Sequence, residues 1–169
     1  MIVIADTTPI NYLVLIEQID VLHEMYGRVL IPQSVLTELQ SGDTPDAVRE
    51  WIAESPEWLE VQQVISTLDP ALRKLGPGES EAIALAQELH ADAIIIDEKD
   101  GRHEAIRRNL RVIGTLRVLS DAAERRLLDL VEAFERLQQT SFRASQELYQ
   151  RFLDLDAERK RGNASRDNG

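Results

Sequence analysis

MIVIADTTPINYL, Met1–Leu13, opens the chain, and the reading of its first half decides the fold. Ile2 to Ala5 is a run of apolar and small residues that stops on an acid, Asp6. An unbroken apolar run, without polar alternation, marks a strand covered on both faces, as parallel strands are. Beyond it, Thr8 is placed to cap a helix with Pro9 at its first position, over residues 9–16.

The same step from strand to helix recurs along the chain. RVLIP (28–32) is a second strand, stopped by Pro32, and QSVLTELQ (33–40) the helix after it. ADAIIID (91–97) is a strong third strand, followed by the helix GRHEAIRRN (101–109) and the strand LRVIGT (110–115). WLEVQQV (58–64) reads as an edge strand, and LGPGES (75–80) is a break leading into the helix ESEAIALAQELH (79–90). Strands alternating with helices predict an α/β class with a parallel sheet and helices on both sides. Residues 117–139 read as one or two helices and 141–156 as another, so 117–156 forms a helical extension packed on the main domain. ERKRGNASRDNG (158–169) has almost nothing to bury, so 157–169 is assigned to a disordered tail and 1–156 to one domain.

The totals narrow the function. The chain has 169 residues, 43% of them hydrophobic, and no cysteine, which excludes disulfides and thiolate metal sites. No apolar run approaches the length of a membrane span, and the N-terminus lacks the pattern of a signal peptide. A cytoplasmic protein with no membrane partner is expected. A formal net charge of −11 argues against a protein that coats nucleic acid broadly, but leaves room for an enzyme with a local basic patch.

With 30 acids, the informative ones are those in unusual places. Asp6 and Asp97 each end an apolar strand, where open α/β sheets bind ligands. The alternative for each is a helix cap. Glu38 shares a helix side with Val35 and Leu39, where an acid is costly unless compensated or able to reach water. Glu79 and Glu81 lie in the first turn of their helix, one on each side of the apolar stripe Ala82, Leu85, Ala86 and Leu89. Asp100 follows Asp97 by three residues. This reading gathers Asp6, Glu38, Glu81 and Asp97 at one edge of the sheet, with Glu79 and Asp100 nearby. Carboxylates about 5 Å apart repel by roughly 3 kcal/mol per pair at an effective dielectric of about 20. Such a set calls for a cation, and oxygen-only ligands favour Mg²⁺ or Mn²⁺.

A carboxylate site of this kind suits phosphodiester hydrolysis. Lys99, Arg102, Arg107, Arg108 and Arg111 follow Asp97 and are candidates to hold a nucleic-acid backbone, the alternative being a solvated helix face. No Walker loop or dinucleotide fingerprint is present. A phosphatase with an aspartate nucleophile would want Asp-x-Asp, but ADTTP has Thr8 in the second place.

IADTTPINYL, IPQSVLTEL, GPGESEAIALA and AIIIDEKDGR, in that order, resemble the PIN-domain nucleases. The VapC-like branch is closest, with GESEAIALA and a Gly-Thr strand like VIGT (112–115). The resemblance covers about residues 1–155. It implies a three-layer α/β/α fold around a short parallel sheet, and RNA cleavage with Mg²⁺ or Mn²⁺. It matches Asp6, Glu38, Glu81 and Asp97 to the family's acids and Thr8 to a supporting hydroxyl, with Glu79 sharing or replacing the role of Glu81. It also implies a homodimeric toxin silenced by a small antitoxin. The alternative is a PIN-fold nucleic-acid-binding or regulatory protein with weak or no catalysis.

Overall fold

Short, wholly buried aliphatic strands form the centre of the sheet. β1 (Val3–Ala5), β2 (Val29–Ile31) and β4 (Ala93–Ile95) have every residue buried. β3 (Leu59–Val61) and β5 (Val112–Ile113) lie at the edges, and β3 becomes exposed along its length, as the edge reading of 58–64 required. The computed structural model describes residues 1–168. The sheet order is β3-β2-β1-β4-β5 with every pair parallel, in registers such as Val3↔Val29 and Ala5↔Ile95. The chain therefore builds outward from β1 on one side, then returns to add β4 and β5 on the other. That reversal opens a crevice at the carboxyl ends of β1 and β4.

The chain divides into two compact units, Met1–Thr115 and the part from Leu116 onward. In the first, the sheet is flanked by α1 (Thr7–Leu15), α2 (Val21–Tyr26), α3 (Gln33–Leu39), α4 (Asp46–Ala53), α5 (Pro77–Glu88) and α6 (Lys99–Arg107), with a 3-10 turn at Pro70–Lys74. This is the expected three-layer α/β/α arrangement. Helix α5 is the most enclosed: Ala82, Ile83, Ala84, Leu85 and Ala86 are all buried. Its alanines let neighbouring elements approach, and it packs on α3, α6, β1 and β4. Ile83 and Leu85 join Ile4, Ile94 and Ile96 in one core cluster. Each such side chain stabilises the fold by about 1.5–3 kcal/mol.

Two boundaries differ from the sequence reading in ways that affect the site. Helix α1 begins at Thr7, so Asp6 rather than Thr8 holds the N-cap position and Pro9 is third in the helix. Helix α5 begins at Pro77, so the Gly-rich break is already part of its first turn.

The second unit contains most of α7 (Thr115–Glu124), together with α8 (Leu130–Gln138) and α9 (Gln146–Asp167). Phe134 and Tyr149 meet edge to face, centroids 5.1 Å apart, between α8 and α9. The stretch 157–169, assigned by composition to a disordered tail, is helical through Asp167, and Gly169 lies outside the described residues. Ser145 caps α9 by accepting from the Leu148 amide. Lys160 pairs with Asp156 one turn back, and Arg159 reaches Glu124 and the Ser120 carbonyl. Charge pairing along the helix does what apolar burial does not.

Candidate functional site

Asp6 stands where the two central strands end. Its amide donates to the Ile95 carbonyl at 2.9 Å, extending the β1–β4 pairing by one residue. The side chain is only 3% exposed, and although it holds the N-cap position it makes no capping hydrogen bond. The cap alternative thus leaves its burial unexplained. Burial pushes its pKa from 3.8 up to about 7; the Thr7 amide pulls the other way, and Glu79, Glu38 and Asp97 add to the rise. Every side-chain charge acting strongly on Asp6 is another carboxylate.

Glu38 reaches this group from α3. Its Oε2 accepts from the Thr7 hydroxyl and its Oε1 from the Gly78 amide at 3.0 Å. A Cβ at Gly78 would come within 2.6 Å of Oε2, so a larger residue there would push the Glu38 carboxylate aside. The hydroxyl that touches the acids is thus that of Thr7; Thr8, expected in that supporting place, is the next residue along α1 and half-buried. The displacement follows from the earlier start of the helix.

Glu81, expected as an acid of the site, turns one oxygen to the backbone of α3. Its Oε2 accepts from the Ser34 amide at 2.9 Å, in the first turn of α3. Glu38 of α3 meanwhile accepts from the Gly78 amide, in the first turn of α5. Each helix therefore supplies the carboxylate that caps the other, and α3 has no cap of its own from Pro32. Ser34 Oγ adds a bond to the Pro77 carbonyl at 3.1 Å.

Glu79, two residues earlier, is the α5 acid whose charge acts on Asp6. It packs against Gly101 of α6. Burial raises its pKa, with Glu98, Glu38 and Asp100 adding to the rise. Asp100 is exposed, and its influence falls on Glu79. Asp97 lies just beyond β4; its Oδ1 accepts from the Thr115 amide at 2.8 Å and its Oδ2 from the Thr115 hydroxyl at 2.6 Å. Burial raises its pKa, while Thr115 and the nearby Arg102 oppose the rise. Glu38, Glu79 and Asp97 thus all act electrostatically on Asp6.

The basic stretch splits. Arg107 and Arg108, candidates for holding RNA, face Glu104, which is 3% exposed. Arg108 Nε lies 2.9 Å from Glu104 Oε1, and Arg107 Nη1 and Lys74 Nζ lie 3.2 and 3.5 Å from Oε2. The Arg108 hydrogen bond leads the effects that hold this carboxyl below its usual pKa. Arg108 also binds Asp69 and Gln87, so it is committed to the fold. The reason is helical spacing: positions 107 and 108 lie three and four residues beyond Glu104. Lys99 is exposed at the start of α6, and Arg102 stays beside Asp97.

The sequence matches the DUF3368 PIN-domain family over residues 2–158. The chain belongs to the PIN-domain family. No curated protein matches it. A solved structure of a PilT N-terminus domain protein, SSO1118, from the hyperthermophilic archaeon Sulfolobus solfataricus P2 is similar at 16% identity and a TM-score of 0.49, over 86% of this chain and all of that one. The PIN domain is generally a nuclease fold, and its nucleases generally use divalent metals.

The donor set of this PIN domain fits a hard divalent cation in kind: oxygen-only carboxylates, one of them with its pKa raised by burial first and by the others in addition. The side chains stand apart, however. Among the described residues no three His, Asp or Glu groups lie close enough to share one ion. Glu38 and Asp97 are each turned onto internal donors, Thr7 and Gly78 for one and Thr115 for the other.

Ser34 and Gly78 carry no sign in the sequence of a role in the site, whereas Gly114 and Thr115 are the Gly-Thr pair of VIGT and Thr7 adjoins the hydroxyl expected at Thr8. No helix among the described residues is long and apolar enough to cross a membrane.

Proposed function

We propose that this PIN domain is a metal-dependent endoribonuclease, with Asp6, Glu38, Glu79 and Asp97 holding Mg²⁺ or Mn²⁺. The observation that carries this reading is the burial of Asp6 among carboxylates, with no cation among the charges acting strongly on it. A divalent cation, when bound, supplies Lewis acidity that acidifies water and offsets charge on a phosphodiester. Asp6 is the central anchor. Thr7 and the Gly78 amide orient Glu38, and Thr115 orients Asp97. Glu81 is assigned a positioning role through α3, and Asp100 tunes Glu79 from outside.

Within the same proposal, the protein is the toxin of a toxin–antitoxin pair, acting as a homodimer in the cytoplasm and silenced by a small antitoxin. What supports this is the order of the four sequence motifs and the helical segment after residue 115, which offers surface for a partner. A second reading, a PIN-fold RNA-binding or regulatory protein with weak or no catalysis, is favoured by the separation of the acids and by the use of both Asp97 oxygens on Thr115.

Incubating the purified chain with RNA and Mn²⁺, beside Asp6→Asn, separates the two. Metal-dependent cleavage by the wild type that Asp6→Asn abolishes supports the nuclease. Equal cleavage by both, or none with either metal, hands the case to the second reading.

A further inference from the structure

A half-buried guanidinium whose donors are unspent stands beside the acids. Arg102 forms no hydrogen bond or ion pair through its side chain among the described residues, whereas Arg107, at the end of the same helix, and Arg108, just after it, pair with Glu104. Its charge acts on Asp97, but both Asp97 oxygens already accept from Thr115. Five N–H donors held in a rigid fork and partly shielded from water suit a planar or multi-oxygen acceptor.

Gly114 makes the seat. A Cβ at this position would lie 2.6 Å from Arg102 Nη1 and 3.1 Å from Asp97 Oδ1. The backbone of Gly114 is in a region open to any residue, so the glycine answers to space and not to conformation. The next amide, Thr115, is fixed to Asp97, which leaves the chain little freedom to yield. Any side chain at 114 therefore displaces the guanidinium.

We propose that Arg102, seated by Gly114, is the phosphate-positioning residue of this site, gripping a backbone phosphate of single-stranded RNA beside the acid cluster. This rests on the nuclease reading, and deepens it by naming the group that orients the substrate. Two donors of one guanidinium can meet two phosphate oxygens, which fixes orientation as well as charge. Lysine offers the charge without the fork.

The test measures binding apart from cleavage. The full chain carrying Asp6→Asn is titrated onto a fluorescein-labelled single-stranded RNA in Mg²⁺, with anisotropy read across a salt series. Adding Arg102→Ala is expected to weaken binding about tenfold and to lower the salt slope by about 0.7, the value of one phosphate contact on a single strand. Arg102→Lys keeps the slope and recovers only part of the affinity. Gly114→Ala reproduces Arg102→Ala; thermal melts check that it folds, and Arg102→Ala decides the matter if it does not. Unchanged affinity and slope in folded Arg102→Ala overturn the proposal, as does an Asp6→Asn parent that binds no RNA at any salt. In the chain with Asp6 intact, Arg102→Ala is expected to lower kcat/KM about tenfold and Arg102→Lys to restore part of it. Cleavage by the wild type with no effect of Arg102→Ala on binding sinks this inference and leaves the nuclease standing. The Arg102 effect on binding without any cleavage sinks the nuclease and leaves Arg102 as an RNA contact.

Discussion

Two carboxylates of this PIN domain, Asp6 and Glu104, are each 3% exposed, and the chain surrounds them in opposite ways. Glu104 is met by Arg108, Arg107 and Lys74, and its carboxyl is held below the ordinary range. Asp6 is met by Glu79, Glu38 and Asp97, and burial carries its carboxyl up to about 7. A buried charge needs compensation from somewhere. For Glu104 the fold provides it from its own helix and from the turn at 70–74. For Asp6 the compensation has to come from a proton or from an ion outside the chain. The contrast separates a carboxylate built into the structure from one left available for binding.

The most severe test of this contrast is Asp6→Asn. Mn²⁺-dependent RNA cleavage should fall by about 10³-fold, the scale on which removing one group that stabilises developing charge acts. Initial rates on labelled RNA measure it, and a rate within a few-fold of wild type would place Asp6 in the same structural class as Glu104.

Next in size is the pH dependence of the metal-free protein. The folded pKa of Asp6 lies above its unfolded value of 3.8. Between about pH 4 and 7 the native state therefore binds the extra proton, and stability falls as pH rises through that window. The loss is on the order of 4 kcal/mol at most. Denaturant melts at pH 5 and pH 8 should show it, and Asp6→Asn should flatten the profile. A profile that rises over the same window would mean that the fold itself favours the ionised form of Asp6.

Glu104→Gln should do the reverse of Asp6→Asn. It leaves Arg107, Arg108 and Lys74 without their buried partner, so the melting temperature should drop by several degrees while Mn²⁺-dependent cleavage persists. Calorimetry and the same rate assay check both halves.

The smallest effect divides Glu79 from Glu81. Saturating Mn²⁺ at about 100 times Kd should stabilise the wild type by about 2.7 kcal/mol. Glu79→Gln should lose most of that shift. Glu81→Gln should keep it and instead cost about 1 kcal/mol with or without metal, the scale of a lost helix cap. Equal loss of the metal shift in both variants would return Glu81 to the site.

Much of this was legible in the chain. Unbroken apolar runs ending at Asp6 and Asp97 announced buried parallel strands and placed acids at their carboxyl ends, because burial on both faces leaves no room for polar alternation. The neighbourhood of Asp6, Glu38 and Asp97 followed from that topology. The stretch 157–167 is helical where composition predicts disorder, and ion pairs from Arg159 and Lys160 hold its start, which a count of apolar residues does not register.

The sequence by itself determined the parallel α/β fold and the place of Asp6 and Asp97 at the carboxyl ends of its strands, since both follow from the unbroken apolar runs that those acids end. The tertiary structure alone decided which acids face each other and which cations remain free. Glu79 and Glu81 share one helical turn, and two residues of rotation point them apart by about 200°. Only the packing of α3 against α5 and of α6 against the sheet selects which direction is the crevice.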